Sequence, residues 1–304
     1  MEHSPRRVKV SASTSNLGPG FDLAGLALDR FLEVELREQS AARELQLELG
    51  AGCGDWPRGN SNRLVAAFSK AASARGVDPR RFVLRAQSEI PVGRGLGSSG
   101  AASVAGVLLA DSLLKTASKR EALLAECIAL EGHPDNATPA LLGGFTLSFL
   151  VDARALVIES VVHESLGFAI AWPDTALETE RARALLPKSV AFSDAVENPR
   201  RLAALLEGMR LGNREWIAAG SEDRLHERYR LPLIRGGREA LDRAREAGAW
   251  AAMISGSGSG MFAICARGEE ARIAAAMVSG FESAGAQAIG MQANIVREAP
   301  RVVS

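Results

Sequence analysis

The chain has 304 residues, 47% of them hydrophobic and 24% charged, the balance of a globular protein with room for two cored domains. Its 36 basic residues equal its 36 acidic ones. That excludes a global basic field for nucleic acid or an anionic membrane, though not a local cluster around an anionic substrate. Cys53, Cys127 and Cys265 are far apart and form no C-x-x-C pair, so no disulfide framework and no zinc site is expected, and a reducing, cytoplasmic setting is. The charged start, residues 1–7, has no apolar segment after it, unlike a secretory signal. Ala101 to Ala110, the longest nearly apolar run, is about half of the ~20 residues a membrane span requires, and it reads as a buried helix.

Apolar–polar alternation predicts strands over 6–12, 30–38 and Leu45 to Leu49. Residues 51–60 carry turn chemistry. An amphipathic helix over 62–75 stops at Gly76, and a strand from Arg81 to Gln87 runs into a glycine-rich loop. From Ser98 a long helix, apolar nearly all round, is expected to be buried. A second helix over 119–130 follows, then the loop Glu131-Gly-His-Pro-Asp-Asn136, and Gly143-Gly144 before a strand at 145–151. Strands near 155–162 and 167–172 precede an arginine- and leucine-rich helical region over 178–247, capped by Gly248. Two strands, 250–254 and 261–266, flank Gly256-Ser-Gly-Ser-Gly260, and a helix at 269–279 and a strand at 292–297 finish the chain. The mixture predicts an α+β fold, with a domain boundary between 150 and 165.

The glycine-rich loop reads Pro91-Val-Gly-Arg-Gly-Leu-Gly-Ser-Ser-Gly-Ala101. Gly95-x-Gly97-x-x-Gly100 matches the dinucleotide fingerprint, which also needs a second parallel strand ending in an acid ~20 residues on. No β-rich segment occurs before residue 145, so that reading falls. A Walker-type loop lacks its Gly-Lys-Ser/Thr ending, and a protein-kinase loop lacks its companion motifs. What survives is physical. Gly93, Gly95 and Gly97 let backbone amides approach an anion, and Ser98 and Ser99 open a long helix whose free amides and dipole favour negative charge. A serine hydroxyl there also suits a Mg²⁺ carried by phosphates. The plainer alternative is a turn with Ser98 as an ordinary N-cap. Gly100 belongs to the helix, where it permits close packing, and Arg94 either touches a phosphate or faces water.

Two further loops alter the weighing. Thr14-Ser-Asn-Leu-Gly-Pro-Gly-Phe-Asp22 follows the first strand, and Ser255-Gly-Ser-Gly-Ser-Gly260 lies between two late strands. Alone, the former is a turn with an Asx cap and the latter a flexible hairpin connection. Together with the central loop, in this order, they resemble the three motifs of the GHMP kinases. The third departs from the usual Gly-x-Gly-Pro-Thr: Ser259 and Gly260 stand in place of Pro and Thr. Within that superfamily the chain resembles the homoserine kinase family over nearly its whole length. The resemblance rests on Ser15 to Asp22, on Glu131 to Asn136 with Pro139-Ala140-x-x-Gly143-Gly144, and on Thr179-x-x-x-Arg183-x-x-Leu186-Pro187. Asp194-Ala195-Val196-x-Asn198 and Asp223-x-x-His226-x-x-Tyr229-Arg230 complete it.

The resemblance implies a two-domain fold, an N-terminal ATP-binding domain (1–155) like the second domain of ribosomal protein S5 and a ferredoxin-like C-terminal domain (156–304). It implies ATP and L-homoserine as substrates, O-phospho-L-homoserine as product on the way to threonine, Mg²⁺ as cofactor, and a homodimer. Pro91, Val92, Gly93, Arg94, Gly95, Leu96, Gly97, Ser98, Ser99, Gly100 and Ala101 would hold the nucleotide. Mg²⁺ needs hard oxygens and keeps several waters, so Ser98 and one carboxylate suffice: Glu131, or as second choice Glu126. Homoserine's carboxylate suits Arg183 and Arg230, its ammonium suits Asp22 with Asn16 and Asp135 as neighbours, and His133 and Thr179 are further substrate contacts. No general base is evident. Asn136 cannot accept a proton at neutral pH, so it is expected to orient the hydroxyl while the proton leaves to phosphate or water. Alternatives are a GHMP kinase for mevalonate or a sugar, and a non-catalytic binding module. The altered third motif favours the module; the intact phosphate loop, Glu131 and Asn136 oppose it.

Overall fold

The computed structural model describes residues 4–39, 44–152 and 154–304, so the first three residues of the charged start lie outside it. The first half of the chain supplies β1 (Arg6–Ser15), β2 (Ala24–Glu38), β3 (Gln46–Leu49), β4 (Phe82–Ser88), β5 (Phe145–Val151) and β6 (Arg154–Ser160). β2 is long enough to take two partners beyond β1. Its C-terminal half pairs with β4 and its N-terminal residues pair with β5. Four helices accompany this sheet: α1 (Arg63–Ala74), α2 (Ser98–Asp111), α3 (Arg120–Glu131) and α4 (Ala137–Leu142). α2 is buried on almost every side, as its uniformly apolar sequence predicts, and carries Ala101, Ala105 and Leu109 in the core. Phe68 of α1 is fully buried against Phe82, and truncating such a core ring costs about 3–5 kcal/mol.

The second half supplies β7 (Leu166–Pro173), α5 (Thr179–Ala184), α6 (Phe192–Leu211), α7 (Arg214–Gly220), α8 (Glu227–Arg230) and α9 (Gly237–Glu246). β8 (Ala251–Ile254), β9 (Met261–Ala266), α10 (Glu270–Ser283) and β10 (Ala288–Ala293) follow. These strands form an antiparallel sheet in the order β10-β7-β9-β8, the ferredoxin-like arrangement anticipated. Alternation along β7 sorts its side chains between two cores. Phe168, Ile170 and Trp172 join the core shared with the first half, while Ala169 and Ala171 pack with α9 and α10.

Several boundaries move. β2 begins at Ala24 rather than 30, because the apolar run from Ala24 to Leu28 is buried throughout and shows no alternation. α4 was not anticipated: Pro139 reads as a breaker, but it occupies the third helical position, where its missing N–H costs nothing. α10 passes through Gly280 to Ser283, and a Cβ at Gly280 would overlap the backbone of Ala240, so this glycine lets α9 and α10 touch. The last long strand lies at 288–293, not 292–297, and the chain end returns as β11 (Val302–Val303) to pair with β1. The 155/156 boundary cuts β6, which belongs to the first sheet through β5; the sheets part between Ser160 and Leu166.

Candidate active site

The loop between β4 and α2 lies where β1 and the segment between β8 and β9 converge. Gly93, Gly95 and Gly97 each hold φ near +69°, the left-handed region that glycine enters freely. A Cβ at Gly95 would overlap the carbonyl oxygen of Ser255, and one at Gly97 would overlap the hydroxyl of Ser13. The Ser13 N–H donates to Leu96 O at 3.2 Å. The Ser255 hydroxyl lies 2.7 Å from Gly95 O and 2.8 Å from Thr14 Oγ1. The Gly256 N–H donates to Ser15 O at 3.0 Å and the Gly260 N–H to Arg94 O at 3.2 Å. The three motif loops are therefore one hydrogen-bonded unit. The third contributes both backbone and hydroxyls: Ser259 Oγ donates to Thr175 O at 2.5 Å, and a Cβ at Gly260 would overlap the carbonyl oxygen of Arg94. Arg94 neither reaches toward a phosphate site nor faces water alone. Its guanidinium donates to Val92 O at 2.6 Å and to the carbonyls of Pro173 and Asp174, pinning the loop to the end of β7.

The glycines deliver the chain to α2, with Ser98 as its first residue and Gly97 as its cap, so Ser98 is not the N-cap. Among the described residues the Ser98 hydroxyl has no protein partner. Ser99 and Ser103, one turn apart, both donate to Glu131 Oε1, at 2.9 and 2.6 Å. Arg63, at the start of α1, reaches the same carboxylate at 3.4 Å and donates to Leu130 O at 2.8 Å. Glu131 ends α3, and its side chain is 4% exposed. Glu126 is elsewhere. Its carboxylate takes two hydrogen bonds from Arg75, both at 2.9 Å, beside Asp111, so the second choice for a metal ligand is spent on an ion pair. Gly100 packs on Asn136 as expected, with 3.1 Å from a built Cβ to the asparagine Cβ.

Asn136 caps α4 and faces β1. Its Oδ1 accepts from Ser13 Oγ at 3.0 Å and its Nδ2 donates to Ser15 Oγ at 2.9 Å. Beside it, His133 Nδ1 lies 2.5 Å from the Asp135 carboxylate, which is buried. Burial works to lower the His133 pKa, but the Asp135 hydrogen bond and charge outweigh it, and the net shift is upward.

On the opposite wall, Asp22 and Arg183 form a bidentate pair at 2.7 and 2.8 Å. The turn that presents Asp22 uses left-handed backbone at Asn16 (φ 69°) and Asp22 (φ 51°), a conformation Asn and Asp tolerate best among residues with a Cβ. Asn16 holds the turn in shape: its Oδ1 accepts from the Asp22 N–H at 3.0 Å and its Nδ2 donates to Gly256 O at 2.7 Å. The Asp22 hydrogen bonds hold the Arg183 guanidinium above its ordinary range, and Asp135 adds to this. Arg183 is 42% exposed; Arg230 is 1% exposed and donates to the same Gly256 O at 3.3 Å. Burial and the nearby Arg183 lower the Arg230 pKa, and among the described residues its Nε has no hydrogen-bond partner. The carboxylate clamp expected from two arginines is thus one accessible guanidinium backed by a buried one. Both lie by the Phe21 ring, 5.4 and 5.1 Å from its centroid. Thr179 opens α5 one turn before Arg183, and its hydroxyl lies 3.1 Å from Ser257 Oγ.

Sequence reasoning missed Ser13 and Ser15, Arg63, Ser103 and the ring of Phe21. Ser13 lies just past the predicted strand and Ser15 opens the first motif, but neither signals a role, because only the fold brings Asn136 beside them. Arg63 carries no signal in a chain rich in arginine. Phe21 lies in the first motif between Asn16 and Asp22, and an uncharged ring carries no signal of its own there.

Residues 62–144 match the GHMP kinases N terminal domain and residues 197–283 the GHMP kinases C terminal model. Homoserine kinase of Prochlorococcus marinus (strain MIT 9303) is 40% identical over 283 residues, covering 91% of this chain and 89% of the relative. The corresponding protein of Synechococcus sp. (strain RCC307) is 39% identical over 92% of this chain and 90% of its own. The crystal structure of homoserine kinase from Cytophaga hutchinsonii superposes with a TM-score of 0.89 at 28% identity, over 99% of this chain and 98% of that one. L. major mevalonate kinase shares the fold at a TM-score of 0.67 and 13% identity, with 98% of this chain and 97% of that chain covered. The chain belongs to the GHMP kinases and, within them, to the homoserine kinase family.

Proposed function

We propose that the protein transfers the γ-phosphoryl group of ATP to the side-chain hydroxyl of L-homoserine. The observation that carries this reading is the Asp22–Arg183 pair on the wall facing the glycine loop. An amino acid is a zwitterion. Its carboxylate replaces Asp22 on the Arg183 fork and its ammonium replaces Arg183 on Asp22, so two charge-assisted contacts are exchanged for two. The buried positive charge of Arg230 and its unpartnered Nε support the carboxylate end.

At the other end, the amides that follow Gly93, Gly95 and Gly97, together with the start of α2, suit the triphosphate. Glu131 and the unengaged Ser98 hydroxyl are hard oxygen donors, and the described residues hold no group of three or more His, Cys, Asp or Glu that could bind a metal. That donor set fits Mg²⁺, which takes its remaining ligands from phosphate and water. When bound, the ion neutralises charge on the transferring phosphoryl group. Asn136, fixed by Ser13 and Ser15, orients the homoserine hydroxyl for in-line attack; the proton passes to phosphate or solvent, since an amide cannot hold it. We also infer a cytosolic homodimer with a step toward threonine as its role. The reading is tested with purified protein, Mg-ATP and homoserine, mevalonate, galactose or shikimate as acceptor. Homoserine should be turned over; turnover of mevalonate without homoserine would overturn it.

A further inference from the structure

β8 is the edge strand of the second sheet, so its outer N–H and C=O groups have no neighbouring strand. Side chains take that place. Arg245 Nη2 donates to Ala252 O at 2.8 Å, and Glu227 Oε1 accepts the Ile254 N–H at 2.7 Å. Glu227 opens α8, and Arg230 closes it. Ile254 ends β8, and two residues on is Gly256, whose carbonyl accepts from Arg230. One turn of helix thus grips one stretch of chain at two points. From there Ser255 and Gly256 run directly onto Gly95 and Ser15. Asp223 anchors the turn, its Oδ2 accepting the N–H groups of Leu225, His226 and Glu227 at 3.0, 2.6 and 2.8 Å.

We propose that Glu227 is a positioning residue for the transfer: its carboxyl, by accepting the Ile254 N–H, locks α8 to β8 and so sets the amino-acid wall in register with the nucleotide loop. The inference rests on the homoserine kinase reading and adds to it a residue outside the binding wall. Desolvation pushes the Glu227 carboxyl up to about 8, with Asp223 raising it further and the Ile254 N–H, Arg245 and Arg230 opposing. Glu222 from the turn before α8, Arg228 from α8, and Arg238 and Asp242 from α9 line the same cavity as Glu227. Ionised, the carboxylate carries the full desolvation cost of this site beside Asp223, so rising pH favours its release to water and away from the Ile254 N–H, which disturbs the lock.

The test compares Glu227→Gln and Glu227→Ala with wild type, steady-state kinetics being followed from pH 6 to 10. Wild-type turnover of homoserine at pH 7 first establishes the activity; its absence would count against the proposed function and not against this inference. Glu227→Gln keeps the acceptor without the titration. It should retain kcat and both KM values within about twofold at pH 7 and lose the wild-type decline in kcat/KM above pH 8. Glu227→Ala should raise KM for homoserine and for ATP together, several-fold, at pH 7. A Gln variant that keeps the alkaline decline, or is as impaired as Ala, overturns the proposal, and so does a folded Ala variant with unchanged constants. If the Ala variant does not fold, the pH profile of the Gln variant decides alone.

Discussion

Asp22 and Arg183, 161 residues apart in sequence, meet in a two-pronged ion pair at the mouth of the site. The pair joins the turn after β1 to α5, so it closes the wall that an amino acid would have to open. Replacing Arg183 by Lys keeps the charge and loses the fork. Losing one charge-assisted hydrogen bond of roughly 1.5–3 kcal/mol corresponds to about a 10- to 100-fold rise in KM for homoserine. KM for ATP should stay within about twofold. Asp22→Asn should raise KM for homoserine similarly, and the double variant should be less impaired than the sum, because the two residues share one ligand. Additive losses would separate them.

Asn136 is bound through both ends of its amide to Ser13 and Ser15. If it orients the attacking hydroxyl, Asn136→Ala should lower kcat by about 10- to 100-fold with little change in KM for ATP, the size expected for lost positioning. A fall no greater than that of a surface control would remove Asn136 from the chemistry.

Gly95 sits at φ near +69° with the Ser255 carbonyl against its α-carbon. Gly95→Ala therefore meets both a strained backbone and rigid main chain. Nucleotide binding, measured by calorimetry with a non-hydrolysable ATP analogue, should weaken at least tenfold, while homoserine binding changes less. An unchanged nucleotide affinity would show that the loop is not held by this contact.

Two titrations set a common direction for stability against pH. His133 has a folded pKa above its ordinary 6.5, so its contribution is complete below 6.5 and is lost as pH rises through the folded value. Glu227 moves from 4.5 in the unfolded chain to about 8 when folded, so the folded state holds the extra proton between those values and stability falls as pH climbs through the window. Tm should therefore decline from pH 7.5 to pH 9, above the range in which the buried His226, held below its ordinary pKa, favours the opposite slope, and Glu227→Gln should flatten the decline. A Tm that rises over that range contradicts both assignments.

Much of this architecture was legible in the sequence. The apolar helix after Ser98, the glycine loop and the order of the three motifs carry their own physical signal. The division of β7 between two cores was not legible, since its residues are apolar on both faces. What was not legible depends on proximity created by the fold. Glu131 and Glu126 lie on one helix, and only the fold shows that Arg75 takes both oxygens of Glu126 while the serines at the start of α2 and Arg63 reach a single oxygen of Glu131. Arg183 and Arg230 read alike as candidates, and burial alone separates the exposed fork from the backing charge. Glu227 lies next to a motif residue, yet its role depends on β8 being a sheet edge, which no local pattern announces.

The central claim is that this site recognises a zwitterion beside a nucleotide triphosphate. It is tested most directly by ³¹P NMR of product formation with homoserine and with two truncated acceptors, 4-hydroxybutyrate without the ammonium and 3-aminopropanol without the carboxylate. Homoserine should give a new phosphomonoester signal with a kcat/KM at least ~100-fold above either analogue, since each leaves one partner of the Asp22–Arg183 pair unmatched. Equal turnover of 4-hydroxybutyrate and homoserine would contradict it.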